Sequence, residues 1–321
     1  MNLSHLYYFR KLAEVQHYTH AAEQLFITQP TLSNAVSQLE KELGIALFER
    51  EGRNVRLTKQ GKEFNEYVTQ ALNLIDKGVD IAHEHAGSLS ASFDLGVVYT
   101  IQADYLPSLM RAFQLKYGQN TRISINQGLS GPLIEDIQCG RYDVVFCAKG
   151  KDIAGLEFVP VFKQRLVAVV HDYSPFANCE EVTIDDLSHA KVITYTPGTI
   201  LGDEVDALLK PHIEAGLDIY GTCDDEITLG SMVDSDPSAV GITLETLGLL
   251  PFTGLKTVPL KEAPGGFHPV YMVYRKNVFQ PRAVENFINF VKEFKFSETR
   301  FMVPIDDEAV EEKQDEEGAE E

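Results

Sequence analysis

From residue 2 to about 85 the apolar residues recur every three or four positions, the period of helices with one buried face. LYYFRKLAEV sets Leu6, Phe9, Leu12 and Ala13 on one side. Thr19 is expected to cap a second helix, HAAEQLFI, in which Ala21, Ala22, Leu25 and Phe26 are apolar and the alanines let another helix come close. Thr28 is expected to cap a third, ITQPTLSNAVSQLEKELG. Pro30 falls in its first turn, where the missing N–H has no intrahelical partner anyway. Leu32, Val36, Leu39 and Leu43 lie in one arc, and Gly44 ends the helix. ALFEREGRNVRLTKQG then reads as strand, glycine turn and strand. KEFNEYVTQALNLIDKGVDIAHEHAG returns to helix, with Phe64, Val68, Ala71, Leu72, Ile75, Val79 and Ala82 along one side for about three heptads. Such a seam suits either a coiled coil or packing against its own domain.

Beyond residue 93 the texture changes. FDLGVVY, DYLPSLMRAFQLKYG, RISINQG, GPLIEDIQCG and YDVVFCAK alternate strand and helix, which predicts an α/β half with a parallel sheet. RLVAVVH, KVITYT, a helix near 201–215, LDIYGTC, a helix near 225–234 and AVGITLE predict a second half, and PVYMVYR and PRAVENFINFVKEF close the chain. Halves of this kind bind small molecules outside the carboxyl ends of their strands.

The outward arc of the third helix holds Pro30, Asn34, Ser37, Gln38 and Lys41, with Thr31 and Ser33 at its edges. A plain solvated face would favour Lys and Glu. Short amides and hydroxyls suit base edges and phosphates instead, and a helix N-terminus adds free N–H groups. Helix, short turn, helix at this spacing is the helix-turn-helix arrangement. The following hairpin is crowded by Arg50, Arg53 and Arg56, which reads as a wing for backbone phosphates or as a surface salt-bridge network with Glu49 and Glu51.

Net charge is −20 over 321 residues, but it is uneven. Residues 1–62 carry eight Lys and Arg against six Glu, whereas 305–321 carry ten acids against one Lys. Nucleic-acid binding therefore survives the overall acidity, because the charge near the contact decides the local field. The terminal run reads as a solvating, disordered tail, with an intramolecular DNA mimic as the alternative. No apolar run reaches 18 residues and the N-terminus lacks a signal-peptide pattern, so a cytoplasmic protein without a membrane partner is expected. Cys139, Cys147, Cys179 and Cys223 form no C-x-x-C pair and read as plain reduced thiols. No P-loop, G-x-S-x-G, H-E-x-x-H or post-strand G-x-G-x-x-G occurs, so no enzyme, metal or cofactor is expected. A solute-binding protein without DNA function would leave the first ninety residues unexplained.

AAEQLFITQPTLSNAVSQLEKELGIALFEREGRNVRLTKQG closely resembles the N-terminal domain of LysR-type transcriptional regulators, through the AA pair, TQPTLS, QLEKELG, LFER and VRLTKQG in that order. The resemblance implies that Gln29, Pro30, Thr31, Ser33, Asn34, Ser37 and Gln38 face DNA and that Arg50, Arg53 and Arg56 serve the wing. Many members carry Arg or Lys where this chain has Asn34. It also implies a fold: α/β, with an N-terminal winged helix-turn-helix at 1–62, a long linker and dimerisation helix at 63–88, and a two-subdomain effector domain of the type 2 periplasmic-binding kind at 89–304. Subdomain I would be 93–161 plus 269–304, subdomain II 162–268, and the acidic tail 305–321. Partners would be double-stranded DNA, a small-molecule effector, a second copy of the chain as homodimer or homotetramer, and RNA polymerase. In such a cleft, Thr100, Ile101, Ser130, Gly131, Thr196, Gly198 and Thr199 open helices after strands and converge as an anion site, with Cys147 and Thr243 on the walls. Singly, each Ser or Thr reads equally well as an ordinary cap. The effector expected is a small anion or carboxylate.

Overall fold

The computed structural model describes residues 2–52, 54–85, 92–102, 105–119, 121–263 and 265–305. Arg53, residues 86–91 and the acidic run from 306 lie outside the described residues. The chain divides into two units, one of residues 1–90 with 138–141, the other of 91–137 with 142–321.

The first unit contains α1 (Leu3–Val15), α2 (Tyr18–Gln24), α3 (Gln29–Leu43), a hairpin of β1 (Phe48–Glu51) and β2 (Asn54–Leu57), and α4 (Lys59–His85). Leu12, Ala21, Ala22, Leu32, Val36 and Val55 form one core cluster, so the alanine pair lies where the three short helices meet. Caps set the helix limits. Thr28 Oγ1 accepts from Thr31 N at 3.3 Å, and Gly44 ends α3 in the left-handed region at φ 72°. The cap of α2 differs from expectation: it is His17, not Thr19, and its Nδ1 accepts from the His20 N–H. The α2–α3 turn closes with Ile27 N to Ala22 O and Phe26 N to Glu23 O, a Schellman pattern that forces Phe26 to φ 55°. Glycine usually takes that place; here a 95% exposed phenyl does.

Three residues fix the hairpin and the start of α4. Glu40 Oε1 accepts from Leu47 N at 2.7 Å and Phe48 N at 3.2 Å. Thr58 donates to Ala46 O at 2.8 Å and accepts from Gly61 N at 2.9 Å. Gly61 packs so closely on Leu47 that a Cβ there would sit 2.1 Å from its carbonyl oxygen. The apolar side of α4 splits. Val68 and Leu72 are buried with Phe9, Leu39 and Leu47, whereas Ile75 and Val79 are 40% and 47% exposed. Arg10 Nη1 to Asn73 Oδ1 at 3.1 Å, and a hydrogen bond from the Tyr7 hydroxyl to Asp76, hold α4 against α1.

The second unit has two mixed sheets. One has six strands in the order β13-β6-β12-β5-β3-β4: β3 (Ser92–Val98), β4 (Arg122–Gly128), β5 (Val144–Cys147), β6 (Leu156–Gln164), β12 (His268–Arg275) and β13 (Met302–Pro304). The other has five in the order β11-β7-β10-β8-β9: β7 (Leu166–His171), β8 (Lys191–Tyr195), β9 (Ile219–Cys223), β10 (Ala239–Leu244) and β11 (Leu255–Pro259). Strands β4, β3 and β5 run parallel, as do β9, β8 and β10. The remaining pairs are antiparallel, so neither sheet is the purely parallel one expected. Strand β6 runs to Gln164, which places the passage between sheets at Arg165 rather than at 161/162. Helices α5 (Tyr105–Tyr117), α6 (Ser130–Gln138) and α9 (Arg282–Glu293) accompany the first sheet in sequence, and α7 (Ile200–Glu214) and α8 (Glu226–Ser235) the second. Each sheet carries apolar clusters on both faces, one built around Tyr105, Phe146, Phe162 and Phe287, another around Val170, Val192, Val205 and Ile242.

Candidate functional site

On α3, Leu32, Val36 and Leu39 are fully buried, which fixes the rotation of the helix. The opposite arc then exposes Gln29, Pro30, Thr31, Asn34, Ser37 and Gln38, with Ser33 half-buried at its edge. Thr31 is partly engaged, since its hydroxyl lies 2.8 Å from that of Thr28. Gln38 Nε2 reaches Glu42 at 3.4 Å. No acid occupies the first turn of α3, so its N–H groups meet no competing carboxylate there. In the hairpin Arg50 and Arg56 are exposed. Arg56 Nε is 2.8 Å from Glu49 Oε1 and its Nη1 is 3.5 Å from Glu51 Oε1, so the salt-bridge reading holds for that residue. Exposed pairs of this kind are worth about 0–1 kcal/mol, too little to keep Arg56 from a phosphate.

The second unit holds a cavity of about 280 Å³ between the helix starts of the two sheets. From the first half come Val98, Tyr99, Thr100, Gly128, Leu129, Ser130, Gly131 and Pro132; from the second come Tyr195, Thr196, Gly198 to Leu201, Cys223 to Glu226 and Leu244; His268 stands at the start of β12. Thr100, Ser130, Gly131, Thr196, Gly198 and Thr199 are thus brought together at its wall. Ile101, Cys147 and Thr243 are not: all three are fully buried in packing behind it.

The hydroxyls at the wall have defined partners. Ser130 Oγ accepts from Ala148 N at 3.1 Å, and Thr199 Oγ1 accepts from Gly202 N at 3.0 Å as the cap of α7. Each keeps its O–H hydrogen to donate. Thr100 donates to Gln164 Oε1 at 2.9 Å, leaving its lone pairs open. Gly198 N is tied to Asp203 Oδ1 at 2.7 Å. Gly202 is required by packing: a Cβ there would lie 2.1 Å from Thr196 O.

The opposite wall contains groups that helix and strand patterns hide. Tyr195, buried, donates to Glu226 Oε1, stands 2.8 Å from Thr243 Oγ1 and accepts from Leu244 N at 3.0 Å. Burial first, and the Glu226 carboxylate second, raise the Tyr195 hydroxyl well above the ordinary phenol. Burial likewise raises the Glu226 carboxyl, a push that the Tyr195 hydrogen bond partly opposes. His268 Nδ1 lies 2.6 Å from Glu204 Oε2. Cys147 is held as a thiol, its pKa pushed up to about 12 by burial, and Cys223 up to about 11. Among the described residues no group of His, Cys, Asp and Glu could hold a metal ion, and no helix is long and apolar enough to cross a membrane.

Comparison with known proteins agrees with both halves of this description. Residues 3–62 match the family model for bacterial regulatory helix-turn-helix proteins of the lysR family, and residues 86–295 that for the LysR substrate binding domain. The chain is 29% identical over 222 residues to the uncharacterized HTH-type transcriptional regulator YybE of Bacillus subtilis, covering 69% of this chain and 76% of that protein. It is 27% identical over 280 residues to the regulator BenM of Acinetobacter baylyi, covering 86% and 90%. The crystal structure of CbnR, a LysR family transcriptional regulator, superposes with a TM-score of 0.71 at 22% identity, over 91% of this chain and 99% of that one.

Proposed function

We propose, from the premise that the chain belongs to the LysR family of DNA-binding transcriptional regulators, a division of labour among its residues. The observation that carries it is the rotation of α3, with one arc buried in the three-helix core and the other presenting Gln29, Thr31, Asn34, Ser37 and Gln38 to solvent. Asn34 and the glutamines read base edges in the major groove. Arg50 and Arg56, with Arg53, hold backbone phosphates. The exposed half of the α4 seam, with Ile75 and Val79 flanked by Tyr67 and Leu74, joins two copies so that two reading heads meet two half-sites. The protein works in the cytoplasm, and RNA polymerase is its further macromolecular partner.

The cavity takes a small carboxylate as effector, at the starts of α6 and α7, where Ser130 and Thr199 can donate. A ligand touching both halves changes their arrangement only through different affinities for the two states. The test is titration of the DNA upstream of the protein's own gene at physiological salt. Asn34→Ala should relax sequence preference, and Arg50→Ala should weaken binding to all sequences and flatten the salt dependence. A wild-type protein that prefers no fragment of its genome over random DNA, with or without small carboxylates, would sink the reading.

A further inference from the structure

The cavity is electrically lopsided. Its first-half wall has the start of α6, with Ser130 and Gly131, no acid in the first turn of that helix and, among the described residues, no charged lining residue. Its second-half wall carries Asp224, Asp225 and Glu226. Among the described residues no Lys or Arg lines it. Asp225 is spent as the cap of α8, accepting from Thr228 N and Oγ1, both at 2.8 Å. Asp224 is exposed and makes no hydrogen bond among the described residues. Glu226 is only 8% exposed and has one side-chain partner, the Tyr195 hydroxyl. His268, 5% exposed, uses Nδ1 on Glu204, and its Nε2 has no protein partner among the described residues.

A plain carboxylate entering this space would meet the α6 helix start on one side and, on the other, acids that no lining Lys or Arg neutralises among the described residues. A buried carboxylate is costly, and burial raises the Glu226 carboxyl accordingly, a push that the Tyr195 hydrogen bond and His268 partly oppose. A cation placed against Glu226 and Asp224 removes that cost. An ammonium group carried by the ligand is such a cation. We propose that the effector is an amino carboxylate: its carboxylate sits at the start of α6 beside Ser130, and its ammonium group is held by Glu226 and Asp224, beside His268. The apolar lining, including Val98, Leu129, Ile200 and Leu244, takes a hydrocarbon side chain. The cavity, about 280 Å³, has room for a single amino acid.

This inference rests on the carboxylate reading given above, and calorimetric titration of the full chain separates the two. The probes are L-leucine and L-phenylalanine, their des-amino acids isocaproate and phenylpropionate, and their decarboxylated amines isoamylamine and phenethylamine. At least one amino acid should bind on the order of tenfold or more tighter than both of its truncated analogues. Glu226→Gln keeps the volume and an acceptor for Tyr195; it should weaken the amino acid and abolish its advantage, while the des-amino acid binds no more weakly than to the wild type. A des-amino acid that binds as tightly as its parent overturns the ammonium subsite and spares the carboxylate reading. An amine that binds as tightly as its parent overturns the carboxylate reading. No heat with any probe overturns both.

Discussion

Gly202→Ala tests whether the cavity wall is built as described. Gly202 lies buried in the first turn of α7, beneath the loop from Thr196 to Thr199. An added Cβ would lie 2.1 Å from Thr196 O, 2.9 Å from its carbonyl carbon and 2.9 Å from Thr199 Oγ1. Two of these neighbours are backbone atoms, which no rotamer change can remove. To regain ordinary van der Waals separation the loop or the helix must move by about 1 Å. Overpacking of this kind costs about 1–3 kcal/mol, and a backbone clash belongs near the upper end. Alanine returns up to about 1 kcal/mol of helix propensity, so the clash wins by about 2 kcal/mol. For a domain of this size that lowers Tm by about 4–8 °C. Thermal unfolding by circular dichroism reads the shift. Gly131→Ala is the control, since a Cβ at that position meets nothing within 4 Å. DNA affinity should be retained in both, because the reading face lies in the other unit. An unchanged or higher Tm for Gly202→Ala would show that helix propensity outweighs the contact and that the loop is not seated on α7 as argued.

Four further outcomes follow from individual contacts. Thr28→Ala removes the α3 cap and should cost about 0.5–2 kcal/mol in denaturant unfolding, with DNA affinity falling as the first turn frays. Tyr195→Phe strips the bonds to Glu226 and Leu244 N and should cost about 1–3 kcal/mol by the same assay; a loss smaller than that of an exposed substitution would contradict the buried network. The Asp236 carboxyl is held down to about 2 by Ser238 and Lys191, so its contribution is complete above the unfolded carboxylate range and fades as pH falls toward 2; Asp236→Asn should flatten the acid limb of stability between about pH 4 and 2. Iodoacetamide under native conditions at pH 8 should modify Cys179, which is exposed, and leave Cys147 untouched, as peptide mapping would show.

The first unit was legible because its signals are local. Apolar spacing set the faces of α1, α3 and α4, and Thr28 and Gly44 marked the ends of α3. The cap of α2 escaped because an imidazole rarely does that work, and only the His17 contact to His20 N reveals it. The split of the α4 seam was invisible for another reason. Val68 and Ile75 are alike in a sequence; what separates them is that α1, α3 and the hairpin cover one and stop short of the other. In the second unit the parallel central strands stood out as apolar runs, whereas β6 did not: Pro160 interrupts it, and its pairing with β12 shifts between Val270 and Tyr271.

The cavity shows where strand-end reasoning stops. A residue that opens a helix after a strand must lie near the switch between sheet and helix, and Thr100, Ser130 and Thr199 do. Which way a side chain points from a doubly covered strand is another matter. Both faces of β5 and β10 are apolar, so no alternation tells inward from outward, and Cys147 and Thr243 turned away from the cavity into packing. The same ambiguity hid Tyr195, which reads as the last residue of an apolar strand, and Glu226, which reads as an ordinary acid in a helix first turn. Only the fold puts that carboxylate under a tyrosine, behind a capping aspartate and across from a helix start that carries no acid. Ligand chemistry in this chain is therefore written in the pairing of distant elements, and a reading from the helix starts alone favours the anion while missing the group that answers its opposite charge.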